Sequence, residues 1–303
     1  MATSRITGTN EQISTYGVAR DYSSLSVWES ATDVDLVTAA QSEVLECYDD
    51  AASFNDDTSW SGATTNTSYF RIIRPAGTIG TGSWQGHDGK ADTVTGVFFD
   101  ISVDDEFIDC SEANASIQDM KVRSTNPTTG NKMTIICDGG GSSVIGCICF
   151  DCTNSNGTSR GIRIEDDGYC INSLFLRGDQ WGMQGNGGNA YFYNCNCIDN
   201  VTDGFLHSGG VLIAKNCLAT GNDTGGGDDF DPGTYTGSTN NASGDLTAPG
   251  ASPRISQTFT FVNAGAGDYH LSPSDAGAHT FGSDLSADGV FAFDDDIDGD
   301  IRS

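Results

Sequence analysis

A five-residue segment returns five times through the middle of the chain, and each return brings the same order of polar, small and apolar side chains. The copies are Gln118-Asp119-Met120-Lys121-Val122, Gly146-Cys147-Ile148-Cys149-Phe150, Asn172-Ser173-Leu174-Phe175-Leu176, Asn194-Cys195-Asn196-Cys197-Ile198 and Asn216-Cys217-Leu218-Ala219-Thr220. They begin at 118, 146, 172, 194 and 216, so the intervals are 28, 26, 22 and 22 residues. A period slightly above twenty, with short strand-like runs separated by Gly, Asn and Asp, predicts a solenoid of stacked β coils. One coil cannot bury its own apolar side chains; stacking sets like above like and builds a continuous core.

The remaining apolar runs agree. They are four to seven residues long, as in Tyr69-Phe70-Arg71-Ile72-Ile73 and Met133-Thr134-Ile135-Ile136-Cys137, lengths that suit strands and not core helices. The 303 residues, 37% of them hydrophobic, suffice for one elongated body with terminal additions. None of these runs approaches the roughly 20 apolar residues of a membrane span, so no membrane partner is expected. Met1 to Gln12 is polar and lacks the apolar stretch of a secretory signal. The expectation is a protein made in the cytoplasm and carried out, if at all, by a particle.

The 42 acidic residues outnumber the 14 basic ones, giving a formal charge of −28 spread along the chain. Binding to a phosphate backbone or to anionic lipid depends on clustered Lys and Arg, so nucleic acid is excluded as an expected partner. The charge suits solubility and resistance to edge-to-edge association in a long β protein, or a surface adapted to salt or divalent cations.

Ten cysteines in a chain of this length, gathered in the repeat, do not read as a disulfide framework. At the second repeat position the residues run Asp119, Cys147, Ser173, Cys195, Cys217, a ladder of small side chains, and Cys149 and Cys197 recur at the fourth. Stacked thiols act as compact core filler. Cys149 and Cys152 form the one C-x-x-C, without a matching second pair or His partners, so zinc is not expected. Alternation sets positions two and four on one face and positions three and five on the other. With the thiols inward, Met120, Ile148, Leu174 and Leu218 form an outward stripe that needs cover, which implies a subunit interface. With the bulky stripe inward, the thiols line the surface. Inward thiols are the preferred reading, because exposed unpaired cysteine is avoided.

Four regions follow. Residues 1–40 form an N-terminal cap region, where Ser26-Val27-Trp28-Glu29 has the pattern of a capping box. A short helix there, with Leu25, Trp28 and Ala31 on one face, would close the open end of the solenoid. Residues 41–222 are the solenoid, 223–254 a Gly/Ser/Thr/Asn-rich loop or linker, and 255–303 a C-terminal β cap with an acidic end.

The opening Asp21-Tyr22-Ser23-Ser24-Leu25-Ser26-Val27-Trp28-Glu29-Ser30-Ala31, the Asn-Cys repeats, and the ending Gly267-Asp268-Tyr269-His270-Leu271-Ser272-Pro273 with Asp296-Ile297-Asp298-Gly299-Asp300-Ile301-Arg302 resemble right-handed parallel β-helix proteins of the pectate-lyase-like superfamily. More narrowly they are similar to uncharacterised β-helix proteins of phages and environmental bacteria. The resemblance implies an all-β, right-handed parallel β-helix. It also implies one of several roles, namely polysaccharide lyase or hydrolase, phage tail spike, or virion protein without catalysis, among which a fold does not choose.

A lyase of this kind needs a basic residue to abstract a proton beside a carboxylate, and usually calcium to acidify it. Arg160, Arg163 and Arg177 lie in the repeat near Asp166, Asp167 and Asp179. A hydrolase needs two carboxylates facing across a groove, which Asp166-Asp167, or Asp199 with Asp203, would supply. Thr202-Asp203-Gly204 followed by His207 echoes polygalacturonase motifs, but the paired aspartates come before it and no Arg-x-Lys follows. If the chain is an enzyme, its candidates are therefore Asp166, Asp167, Asp203, Arg163 and His207. Trp60, Trp84 and Trp181 are candidates for sugar stacking, against rung-edge packing for Trp181 and the Tyr191-Phe192-Tyr193 cluster. His87, His207, His270 and His279 share no metal spacing. In Asp294-Asp295-Asp296-Ile297-Asp298-Gly299-Asp300 the alternate aspartates Asp294, Asp296 and Asp298 match the first half of a calcium loop, without its second half. An acidic turn, its charge offset by Arg302, is the alternative. The expected function is a non-enzymatic virion surface protein, a phage capsid decoration or head-spike subunit. It would form a homotrimer on the major capsid protein or another virion protein, with host glycan a further partner if it is a tail spike or fibre.

Overall fold

The computed structural model describes residues 3–102, 106–126, 133–154 and 159–301; Arg302 lies outside them. It is an all-β parallel solenoid of about 7 turns with two short helices, consistent with a right-handed β-helix bearing a small helical cap. Three parallel sheets of eight, seven and six strands run its length. One coil shows the construction. Ser143–Ile145 lies in the eight-stranded sheet, Ile148–Asn154 in the seven-stranded and Arg160–Glu165 in the six-stranded. Gly168–Ile171 then returns one level up, with Ser143 opposite Tyr169.

The sharp corner between the eight- and seven-stranded sheets explains the repeat. Its first residue is in the left-handed region in six successive coils: Asp119, Gly146, Asn172, Asn194, Asn216 and Asn240 have φ of 53°, 64°, 50°, 54°, 56° and 55°. Only Gly, Asn and Asp enter that region routinely. The corner also corrects the register of the first copy. Lys121 pairs with Ile148, not with Cys149, so that copy begins at Asp119 and the first interval is 27. Met120, not Asp119, therefore stands in the ladder with Cys147, Ser173, Cys195 and Cys217.

The thiols point inward. All ten cysteines are buried and unbridged, and they fill the central core with Phe99, Phe175, Phe192 and Phe205. The outward stripe exists as well, but the chain covers it itself. Ile148, Leu174, Leu176, Ile198 and Leu218 pack beneath Phe259, Phe261, Tyr269, Leu271 and Ile297 of the C-terminal segment. The subunit interface inferred for this stripe is thereby removed, and Met120 belongs to the core. On the eight-stranded sheet, Ile145, Ile171 and Tyr193 lie under Leu285 and Phe293, with Ile6 alongside.

At the N-terminal end α1 (Leu25–Thr32) is followed by α2 (Leu36–Ala39). Leu25, Trp28 and Thr32 of α1 are buried, whereas Ala31 is exposed. The capping box does not form: the N-cap is Ser24, the Leu25 N–H donates to Asp56 at 2.7 Å, and Glu29 turns to Arg71 at 3.2 Å. Arg71 is fully buried and also faces Glu112 at 3.4 Å, fixing the helix to the first coils. Residues 223–254 are not a detached linker. Phe205 bridges Phe230, Leu218 pairs with Ala242, and Ala242 bridges Arg254, so this stretch winds on as further, shrinking coils.

Candidate functional site

The outer face of the six-stranded sheet is polar where the other two sheets are sheathed in apolar packing. Its central row reads Asp109, Ile136, Arg163, Gln184 and Leu206. Arg163 is engaged on both sides, by Asp138 through Nη2 at 2.7 and 2.9 Å and by Glu165 at 3.0 Å. A guanidinium held this way is a structural cross-link between coils and is not poised to take a proton.

The remaining enzyme candidates do not converge. Asp166 and Asp167 form the left-handed corner after Glu165, with φ of 45° and 64°, and both are exposed; Asp167 accepts from Asn189 Nδ2 at 2.7 Å. Asp203 lies at the opposite margin, ahead of Phe205–His207, where its carboxylate accepts the Asp228 N–H at 3.0 Å. Strand length separates the two margins by about 15–20 Å at about 3.3 Å per residue, against the roughly 5–9.5 Å of a glycosidase pair. His207 Nε2 donates to the Gly210 carbonyl at 3.0 Å.

Around Asp203 the structure gathers carboxylates that motif reading passed over. Burial, then Asp245 and Asp203, holds the Asp228 carboxyl above its ordinary range. Burial, then Asp203, does the same for Asp231. Asp229 is buried by contrast and structural, accepting from Asn222 Nδ2 at 2.8 Å and Gly244 N at 2.7 Å. The only sign in the sequence was the Gly-Asp-rich stretch from 225 to 231. Among the described residues no group of three or more His, Cys, Asp or Glu side chains is placed to hold a metal ion.

The aromatic candidates separate as well. Trp60 is wholly buried against Trp28, with ring centroids 5.4 Å apart, and is core. Trp84 donates to the His87 carbonyl at 2.9 Å. Trp181 is half-buried at the margin of the six-stranded sheet, with the Arg160 guanidinium 4.1 Å above its ring.

In the C-terminal run, Asp296 accepts the N–H groups of Asp298 and Asp300 at 3.0 and 2.9 Å, an acidic turn. Asp298 meets His270 Nε2 at 2.7 Å. With Asp268 on the other ring nitrogen at 2.7 Å, this raises the His270 pKa to about 9. Asp295, immediately before Asp296 in sequence, binds the N-terminus through the Ser4 N–H at 2.9 Å and Arg5 at 3.2 Å.

Along the left-handed corner the asparagines bond vertically, Asn194 Nδ2 to Asn172 Oδ1 at 3.1 Å and Asn216 Nδ2 to Asn194 Oδ1 at 3.0 Å. The C-terminal segment docks on this ladder, Asn216 pairing with both the N–H and the carbonyl of Ser283 at 2.8 and 2.9 Å. Between segment and ladder lies a cleft of about 880 Å³. No family model matches the chain, and neither a curated protein nor a solved structure does.

Proposed function

We propose that the chain is a non-enzymatic structural protein of a virion surface, a phage capsid decoration or head-spike subunit that assembles as a homotrimer on the major capsid protein or another virion protein. The observation that carries the non-catalytic part is the state of its charged groups: Arg163 is cross-linked to Asp138 and Glu165, and Asp166 and Asp203 stand at opposite margins of one sheet. The virion part rests on the resemblance noted above. Since the C-terminal segment covers the apolar stripe, this reading places the trimer contact at the N-terminal end, where Ile13, Val18 and Val27 are 53%, 59% and 57% exposed.

Light scattering on a size-exclusion column at low micromolar concentration, with and without calcium, tests the assembly. A stable trimer is expected, and a monomer under both conditions overturns it. The calcium arm also tests Asp294, Asp296 and Asp298 as a cation site. A polysaccharide panel is expected to yield no cleavage. Cleavage lost in Asp166→Asn, Asp167→Asn or Asp203→Asn would establish a lyase or hydrolase instead. A second reading, a tail spike or fibre that binds host glycan, is favoured by the half-buried Trp181 beside the polar sheet.

A further inference from the structure

Of the six prolines in the chain one, Pro232, follows an aspartate. The bond between Asp231 and Pro232 stands in a bend clamped at both ends. The Asp231 N–H donates to the Phe205 carbonyl at 2.9 Å, and the Thr234 carbonyl accepts the Leu212 N–H at 3.0 Å. Pro232 and Gly233 between these anchors are exposed, and Asp231 is half-buried. The His207 ring is seated against the backbone just beyond the proline, since a Cβ on Gly233 would lie 2.4 Å from its Cγ and 2.7 Å from its Nδ1. Only glycine fits beneath that ring.

The groups facing the Asp231 carboxyl are Asp203, Asp228, His207 and Tyr235. Asp203 is itself tied to Asp228 through the Asp228 N–H at 3.0 Å. Burial, then the charge of Asp203, keeps a proton on Asp231 to higher pH than a solvated aspartate, although His207 pulls the other way.

An aspartyl–prolyl bond joins two reactive halves. A carboxyl oxygen of aspartate is one five-membered ring away from its own main-chain carbonyl carbon, so attack needs no bimolecular encounter. The proline nitrogen belongs to a tertiary amide and leaves more readily than a secondary one. We propose that this bend is a self-cleavage site, at which the Asp231 carboxyl attacks its own main-chain carbonyl carbon and expels Pro232. The new Oδ–C bond closes a cyclic anhydride, the C–N bond to Pro232 breaks, and the carboxyl proton passes to the Pro232 nitrogen. One water then opens the anhydride, and the sum is hydrolysis of one peptide bond. Each chain reacts once, independently of the virion reading. The piece after the cut carries Phe259, Phe261 and Tyr269, which cover the apolar stripe, and the pairing of Leu218 with Ala242 retains it on the solenoid.

Intact-mass measurement after denaturation tests the proposal, on the full chain kept at pH ~5 and at pH ~7.5. Two pieces, one ending at Asp231 and one beginning at Pro232, are expected to form faster at the lower pH. The folded chain is expected to be cut about tenfold faster, or more, than the same chain held unfolded in guanidinium chloride. Asp231→Ala is expected to stay whole, and Pro232→Ala, at an exposed position, gives the same result should the first variant fold poorly. Asp203→Asn is expected to slow cleavage of the folded chain at pH ~5 by about threefold or more. The proposal is overturned if no pieces form, or if Pro232→Ala is cut at the same bond. It is overturned equally if the unfolded chain is cut as fast as the folded one, which is the lability of the dipeptide alone, or if neither Asp203→Asn nor Asp228→Asn alters the rate.

Discussion

Arg5 and Asp119, 114 positions apart, meet through a forked pair of hydrogen bonds, Nη2 to Oδ1 at 2.7 Å and Nε to Oδ2 at 2.8 Å. The same guanidinium reaches Asp295 at 3.2 Å. One arginine therefore holds both chain ends against a left-handed corner of the solenoid. Asp119 is buried, which pushes its carboxyl above the ordinary range although Arg5 pulls it down.

Removing that arginine takes the guanidinium away from Asp119, a buried carboxylate. Arg5→Ala is expected to lower stability by about 3–5 kcal/mol in urea unfolding. Arg5→Ala combined with Asp119→Asn is expected to recover a large part of it; a double variant as unstable as the single one would show that the fork does not act as a charge pair.

Two histidines set opposite pH limits. His87 is buried, donating from Nε2 to the Gly146 carbonyl at 2.6 Å and accepting at Nδ1 from Gly89 N–H at 3.2 Å. Burial holds its pKa below the ordinary value. Below pH ~6.5 the unfolded chain then takes up a proton that the folded chain refuses, so stability falls on acidification, by at most about 1.4 kcal/mol per pH unit. His270, raised to about 9, contributes fully below pH ~6.5 and loses its contribution as pH rises through 9. Its side chain is 33% exposed, so solvent screening reduces that contribution to about 1–2 kcal/mol. Urea midpoints measured from pH 5 to 10 are expected to flatten below ~6.5 in His87→Gln and between ~6.5 and 9 in His270→Gln. Unchanged slopes would refute either assignment.

Coil stacking leaves no room for a methyl group at Gly161. A Cβ there would lie 1.6 Å from the Gly182 carbonyl oxygen and 2.8 Å from the Phe175 ring. Gly161→Ala is expected to cost more than about 4 kcal/mol or to abolish folding. At Gly82 nothing lies within 4 Å, and Gly82→Ala is expected to stay within about 0.5 kcal/mol of the parent by thermal denaturation.

Burial pushes the thiols of Cys47, Cys137 and Cys149 well above their ordinary pKa, and the thiolate is the reactive form. Because all ten thiols are buried, a colorimetric disulfide reagent is expected to find no fast-reacting cysteine in the folded protein and all ten after denaturation. A single fast thiol in the native state would mean that the core opens locally.

The parallel solenoid was legible because stacking repeats side-chain identity from coil to coil, and inward thiols followed from the avoidance of exposed cysteine. The first copy was misplaced by one residue because Gln118 and Asp119 were both polar. The backbone rule that only Gly, Asn and Asp accept the corner would have selected Asp119. What covers Leu174 and Leu218 was not legible, since a distal segment such as 259–297 leaves no periodic mark on the strands it sheathes. Composition likewise carried no sign that the loops of 223–254 continue the stack, where they close through Asn, Ser and Asp hydrogen bonds in place of apolar side chains, as with Asn241 to the Ala214 carbonyl at 2.8 Å. The enzyme candidates lay close in sequence, but strand length carried Asp166 and Asp203 to opposite margins.

The shrinking coils have a consequence for how copies of this molecule can meet. From Asn216 to Asn240 to Ser252, all three in the left-handed region, the interval drops from 24 to 12 residues. The last strand of the seven-stranded sheet, Ala242–Ser243, has two residues, and Arg254 donates to the Ala276 and Gly277 carbonyls at 3.0 and 2.9 Å. The opposite end keeps a six-residue strand, Glu11–Tyr16, with Tyr22 bonded along part of its free edge. Head-to-tail strand pairing needs two matching ends, and a solenoid with one extended edge and one blunt tip does not present them. Tapering therefore withholds, at that end, the long strand edge on which a stack of identical coils would template an open-ended fibre.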